Sequence, residues 1–342
     1  MTIDVQRRTV TRALATLPLA LSGRAGAGGR SIDETGFVKV GGIDQWLGIQ
    51  GTDTRNPVIL YLHGGPGEAQ SPFLRNFLPW QQQFTVANWD QRGSGKTYGR
   101  NGPSTPGMDS PDAAVEQLAA DAVEVAIAVS KRLSKRKIVL VGQSWGAMLG
   151  LYVVKKRPDL FHAYVATGET VNWRRSIEEL ERMARREATE AHDQETLRAL
   201  DAAATLPLTD PKRRRASAKY RLAPSDLAYG KTLDAFLGPP PQPTQGDVAD
   251  WTAGYNFSGS KVGPAMYAFN AAEFAPELRV PFFVIQGMND HITPASLARD
   301  YVASVKAPRK AFTTIPGGHF ACFTSSKEFL AALHKNLGSL RV

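Results

Sequence analysis

Lys137-Ile138-Val139-Leu140-Val141-Gly142-Gln143-Ser144-Trp145-Gly146 is the stretch on which the reading of this chain turns. Ile138 to Val141 is an apolar, β-branched run of the kind found in strands buried on both faces. A Gly-x-Ser-x-Gly pattern follows at once, and Trp145 to Lys156 then reads as a helix. A serine between strand and helix, with glycines two positions to either side, sits on a turn sharp enough to lift its hydroxyl out of a sheet. The helix beginning at Trp145 aims backbone N–H groups and a positive dipole end at the same place, where negative charge develops during acyl transfer. Ser144 is therefore the candidate nucleophile.

Outward from this turn the chain alternates strands and helices. Phe37–Val40 and Trp46–Gln50 read as a short antiparallel start to a sheet. Pro57–Leu62, Phe84–Trp89, Lys137–Gly142, Ala163–Thr167, Val280–Gln286 and Ala311–Ile315 read as buried strands. Ser110-Pro111-Asp112 has the cap, first-turn proline and acid of a helix start, and that helix should run to Leu133 with Val115, Leu118, Ala122, Val125 and Val129 along one face. A closing helix fits Lys327–Asn336. Strands separated by helices predict an α/β fold, a mostly parallel sheet covered on both faces. The rhythm breaks at 171–270, where apolar strand-like runs are missing. Ser176–Ala203 is a charged helical segment, Asp210-Pro211 starts another helix, and Gly238-Pro239-Pro240-Pro241 interrupts. This stretch reads as a helical cap inserted between the sixth and seventh strands, with 31–170 and 271–342 forming the core.

A serine hydroxyl attacks only if a base takes its proton, and the base needs an acid to orient it. Asp290 follows the strand Val280–Gln286, and His319 follows Ala311–Ile315. Both fall just past the C-terminal ends of strands, on the sheet edge that carries Ser144, in the order serine, acid, histidine. Asp290 could instead cap the helix that Thr293-Pro294 begins, and His319 could be an ordinary loop residue. The rivals are weaker. His291 adjoins Asp290 in sequence, Asp300 falls within a helix, His162 and His192 precede any suitable acid-bearing strand, and His334 lies in the last helix.

His63-Gly64-Gly65-Pro66-Gly67 follows the strand Pro57–Leu62, where a loop must bring a backbone N–H toward the nucleophile. Glycines permit that approach, and Gly65 and Trp145 are the expected oxyanion donors, with Gly64 nearby. His63 reads as a structural member of this loop. Asp90-Gln91-Arg92-Gly93-Ser94-Gly95 ends the next strand and suits a rigid loop held by its own hydrogen bonds. It lacks the glycine five positions before Gly95 that a phosphate-binding loop requires.

The 342 residues carry a formal charge of +9, but five arginines (7, 8, 12, 24 and 30) fall in the first 30 residues against one acid, Asp4. The rest holds 36 basic and 31 acidic residues, largely mixed in sign apart from Lys212–Arg215, which disfavours a nucleic-acid partner. The single cysteine, Cys322, excludes an intrachain disulfide framework and cysteine-based metal sites. Arg7-Arg8, a weakly apolar run from Ala13 to Leu21, and Ala25-Gly26-Ala27 have the layout of a cleavable export signal of the twin-arginine kind. Export to the periplasm is expected, with a cytoplasmic enzyme carrying an Arg-rich tail as the alternative. That run is too short to span a bilayer.

Taken together, His63–Gly67 (HGGPG), Asp90–Gly95 (DQRGSG) and Gly142–Gly146 (GxSWG) resemble blocks of the proline iminopeptidase-like α/β hydrolases, and Asp290 and His319 fall where that family keeps its acid and base. The resemblance covers roughly 35–170 and 270–342. It implies an α/β-hydrolase fold and hydrolysis of a small ester or amide through an acyl-enzyme under a helical cap, with no metal or organic cofactor. The cap departs from the family. The paired tryptophans with a following glutamate are missing, and Trp251-Thr252-Ala253-Gly254-Tyr255 is the nearest stretch. Glu169 and, with less support, Glu273 are the acids positioned to meet a substrate amine, although Glu169 fits better as a cap for the start of the inserted domain. Two activities follow: an aminopeptidase acting on short peptides, or an esterase, lactonase or amidase without aminopeptidase activity. Haloalkane or epoxide chemistry would want an aspartate in place of Ser144.

Overall fold

Eight strands form one sheet in the order β1-β2-β4-β3-β5-β6-β7-β8, from β1 (Ile32–Val40), β2 (Ile43–Gly51), β3 (Val58–Leu62), β4 (Thr85–Trp89), β5 (Ile138–Gln143), β6 (Phe161–Thr167), β7 (Phe282–Gly287) and β8 (Lys310–Ile315). The structure, a computed structural model, describes residues 31–208, 210–236, 245–338 and 340. The export-signal reading of residues 1–30 and the Gly238–Pro241 break lie outside the described residues. β1 pairs with β2, and β2 with β4, antiparallel; every pairing from β4 through β3 to β8 is parallel.

Side chains alternate across the central strands and are buried on both faces. Leu60 and Leu62 of β3 and Ile138 and Leu140 of β5 join the apolar layer beneath the Pro111–Arg132 and Trp145–Lys156 helices. Ile59, Tyr61, Val139 and Val141 join the opposite layer, built with Phe77, Trp80 and the Ser326–Gly338 helix, where Trp80 stacks on Phe329 at 4.8 Å. The Pro111–Arg132 helix begins as its sequence predicts. Ser110 accepts a hydrogen bond from the Ala113 N–H, and Val115, Leu118, Ala122, Val125 and Val129 are all buried.

The first two strands are longer than their apolar runs indicate. Gly41 and Gly42, at φ 53° and 80°, make a two-residue hairpin turn that lets all of β1 from Ile32 onward, its exposed positions included, pair with β2. The segment between β6 and β7 is helical among the described residues. Its first charged stretch divides into Trp173–Glu190 and Gln194–Ala203, because His192 adopts φ 53° and Asp193 starts a new helix by accepting from the Thr196 N–H. The two ends of the inserted segment meet: Asn172 and Asn270 form an antiparallel bridge, and the Ala271 N–H donates to the Val171 carbonyl. Among the described residues no helix is long and apolar enough to cross a membrane.

Candidate active site

Ser144 follows β5 in the centre of the sheet and adopts φ 55°, ψ −117°, a conformation that is costly for any residue with a Cβ. The turn is held from outside: the Ser144 N–H donates to the Thr167 carbonyl at 3.0 Å, and Thr170 Oγ1 donates to the Ser144 carbonyl at 3.1 Å. The flanking glycines are required by distance. A Cβ at Gly142 would lie 2.4 Å from the Gly146 carbonyl oxygen, and one at Gly146 would lie 2.0 Å from that of Leu62. Gly146→Ala is therefore expected to destabilise the fold by about 3 kcal/mol in urea unfolding, because the obstruction is backbone and cannot swing away. A loss below about 1 kcal/mol would contradict this packing.

Asp290 and His319 lie past the ends of β7 and β8 and are bonded to each other, His319 Nδ1 standing 2.9 Å from Asp290 Oδ2 and 3.1 Å from Oδ1. Asp290 is fixed by further donors. The N–H groups of Ile292 and Thr293 donate to Oδ1, and Thr293 Oγ1 and Gln286 Nε2 donate to Oδ2. Asp290 does not cap the Ala295–Ser304 helix, whose N-cap is Pro294 with no side-chain bond; its carboxylate closes the turn before that helix and holds the imidazole. Gly168, at φ 58°, sits between base and serine: a Cβ there would be 2.9 Å from His319 Cε1 and 3.5 Å from the Ser144 nitrogen. Burial opposes charge on His319, but Asp290, Asp226 and Glu68 outweigh it and hold the imidazole above its ordinary value. The rival groups are elsewhere. His291 contacts the Tyr220 carbonyl, His334 meets Gln83, and Asp300 pairs at the surface with Arg299.

His63 has the structural role read from its sequence. Its Nδ1 lies 3.0 Å from the Gly64 carbonyl, its Nε2 accepts from the Gln91 N–H, and burial drives its pKa down to about 4. Gln91 ties three segments together, donating to the His63 carbonyl and accepting from Trp145 Nε1–H. The Asp90–Gly95 loop is held by its own hydrogen bonds, the Ser94 N–H and hydroxyl both donating to the Gln91 carbonyl. It is tied outward as well, where Arg92 reaches across to a buried pair with Asp121 at 2.7 Å. Gly65, at φ 110°, could carry no side chain, since a Cβ would lie 2.7 Å from the Gly67 and Glu68 nitrogens. Among the described residues no group of three or more His, Cys, Asp or Glu could hold a metal ion.

The model of the alpha/beta hydrolase fold matches residues 57–326, most of the chain. The chain belongs to the alpha/beta hydrolase family. Over 295 residues it is 28% identical to the probable aminopeptidase YbaC of Bacillus subtilis (strain 168), covering 80% of this chain and 86% of that one. It is 28% identical to the proline iminopeptidase of Neisseria gonorrhoeae over 134 residues, 39% of each chain. The crystal structure of the Mycobacterium smegmatis proline iminopeptidase superposes with a TM-score of 0.61 at 21% identity, over 89% of this chain and 98% of that one. The protein is thus an alpha/beta hydrolase that is similar to a probable aminopeptidase and to proline iminopeptidases.

Beside the serine turn of this alpha/beta hydrolase, a cavity of about 380 Å³ opens under the inserted helices. Gln143 and Phe320, the sequence neighbours of Ser144 and His319, line it together with Glu68, Phe73, Tyr229, Trp251 and Phe323. Trp251 stacks on Tyr255 at 5.5 Å and donates from Nε1 to the Ala69 carbonyl, pinning the Gln245–Ala268 helix over the glycine loop.

Neither acid singled out for a substrate amine lines this cavity. Glu169 is 1% exposed, and both its carboxylate oxygens lack a hydrogen-bond partner among the described residues. Burial pushes its carboxyl up to about 8, and the groups that feel its charge are Tyr164 and Tyr301. It does not cap the inserted domain either; Asn172 does, accepting from the Arg175 N–H. Glu273 is exposed and takes a hydrogen bond from Asn270. The acid at the cavity is Glu68, which sequence reasoning passed over although it directly follows Gly67. Gly64 makes room for it: a Cβ there would lie 3.1 Å from Glu68 Oε2 and 2.3 Å from Gln143 Oε1. Burial raises the Glu68 carboxyl to about 7, against the opposing pull of His319.

Proposed function

We propose that the protein is a serine hydrolase in which Ser144, His319 and Asp290 form the triad, and that it releases an amino-terminal residue from short peptides. The observation that carries the triad is the Asp290–His319 bond beside a serine held at φ 55° at the start of a helix. With Nδ1 committed to Asp290, Nε2 is left for the serine. His319 takes the Oγ proton as Ser144 attacks the carbonyl, and it returns that proton to the leaving amine as the acyl-enzyme forms. Water, deprotonated by the same imidazole, then attacks the acyl carbonyl and restores Ser144. The first-turn N–H of Trp145 has no intrahelical acceptor, and together with that of Gly65 it is assigned to the oxyanion.

The amide preference rests on Glu68. Its carboxylate has no hydrogen-bond donor among the described residues, faces a cavity walled mainly by aromatic side chains in which it is the one acid, and suits a protonated amine. Glu68→Gln is expected to raise KM for proline p-nitroanilide about 10- to 100-fold and to change p-nitrophenyl acetate hydrolysis less than about threefold. Equal effects on both substrates would remove Glu68 from amine recognition. The aromatic walls favour a second reading, an esterase that seats an apolar acyl group there without regard to charge. Purified enzyme on the two substrates, with Ser144→Ala alongside, separates the readings: ester cleavage alone favours the esterase.

A further inference from the structure

Asp226 stands in the first turn of the Pro224–Phe236 helix, within the inserted segment and 93 residues from His319. An acid at that helical position ordinarily answers its own helix's free N–H groups. Both oxygens of Asp226 are committed to another segment. Oδ2 accepts the His319 N–H at 2.8 Å, and Oδ1 accepts the Phe320 N–H at 3.1 Å. The carboxylate is 3% exposed, and among the described residues no lysine or arginine pairs with it. The histidine loop is shaped to admit it: a Cβ at Gly318 would lie 2.1 Å from Asp226 Oδ2 and 2.7 Å from Ala223 Cβ. One turn further on, Tyr229 packs on Phe320 and Phe323 at 5.6 and 5.8 Å, so the same helix braces the loop twice.

We propose that Asp226 is a positioning residue for the catalytic base, clamping the His319 and Phe320 amides so that the inserted helices form part of the triad's frame. Asp290 holds the ring from below, Asp226 holds the backbone from the cap, and the imidazole is fixed at both ends. Three acids face it: Asp290 from the loop after β7, Asp226 from the cap and Glu68 from the glycine loop. Removing the Asp226 charge therefore makes the imidazole easier to deprotonate, and the acid limb of the kcat/KM profile moves to lower pH.

The inference rests on the triad reading, and its test keeps the two apart. Asp226→Ala and Asp226→Asn are assayed on p-nitrophenyl acetate and proline p-nitroanilide beside Ser144→Ala. The clamp predicts a kcat lower by about 30- to 100-fold on both substrates, KM within about threefold, and an acid limb shifted down by about half a pH unit or more in both variants. Asp226→Glu, which keeps the charge, should recover part of the loss and restore the limb. A kcat within threefold of the parent in either variant, an effect confined to KM, or an unmoved acid limb overturns the clamp while an inactive Ser144→Ala leaves the triad standing. An active Ser144→Ala overturns the triad itself. Should the variants fail to fold, hydrogen exchange on the unaltered protein decides: slow exchange of the His319 and Phe320 amides is required, and fast exchange overturns the proposal.

Discussion

Replacing Ser144 with alanine is expected to lower turnover by about 10⁴- to 10⁶-fold while leaving the thermal midpoint close to that of the parent. The bonds that hold the turn use the Ser144 backbone, its N–H to Thr167 and its carbonyl from Thr170, and alanine retains both. Alanine also retains the Cβ that makes φ 55° unfavourable, so the conformational cost is unchanged. Only the nucleophile is lost. Ser144→Gly should be equally inactive yet more stable by about 1 kcal/mol, since it relieves that cost and part of the gain is returned through the freer unfolded chain. Turnover of p-nitrophenyl acetate and a thermal melt on the two variants measure both quantities. Activity of Ser144→Ala within tenfold of the parent would remove the serine from the chemistry.

Asp290→Asn is the second large effect, an expected fall in kcat of about 10⁴-fold. The native carboxylate is surrounded by donors: two backbone N–H groups, the Thr293 hydroxyl, the Gln286 amide and the His319 ring. An acid accepts from all of them, whereas an asparagine amide turns one acceptor into a donor. If its NH₂ faces Thr293 and Gln286, donor meets donor. If it faces His319, the ring must present an unprotonated Nδ1 and carry its proton on Nε2, where it cannot accept from Ser144. The loss should appear in kcat with little change in KM, and raising the pH should not recover it. A variant within tenfold of the parent would show that the imidazole is oriented by something else.

The local signals were legible because each is short range. A β-branched run, a glycine on either side of a serine and an apolar helix start define Ser144 within ten residues, and the helix from Trp145 to Lys156 has the bounds its sequence indicates. Asp290 and His319 were legible because the order of strands places their loops on one edge, and the structure brings the two side chains into contact. What escaped depends on which way a side chain faces once distant segments pack. Glu169 and Glu68 both follow glycines near strand ends, but one is buried toward Tyr164 and Tyr301 and the other opens under Trp251. Pro224-Ser225-Asp226 has the pattern of any helix start, and the destination of its carboxylate appears only with the fold. The Gly41-Gly42 hairpin was in reach of turn chemistry, but the exposed residues that it pairs carry little apolar signal.

The bridge between Asn172 and Asn270 has a consequence for how such a protein can change over generations. The chain leaves the sheet and returns to it at the same doorway, so a substitute of almost any length, down to a tight turn, could span the gap without disturbing β6 or β7. The roof is exchangeable as a module, and with it the ceiling of the cavity. The exchange is not free of consequence for the chemistry, because one carboxylate of that roof reaches down to the histidine loop. A newly acquired roof would thus inherit an intact sheet and serine turn but would have to supply its own brace for the base, coupling what the enzyme selects to how fast it works.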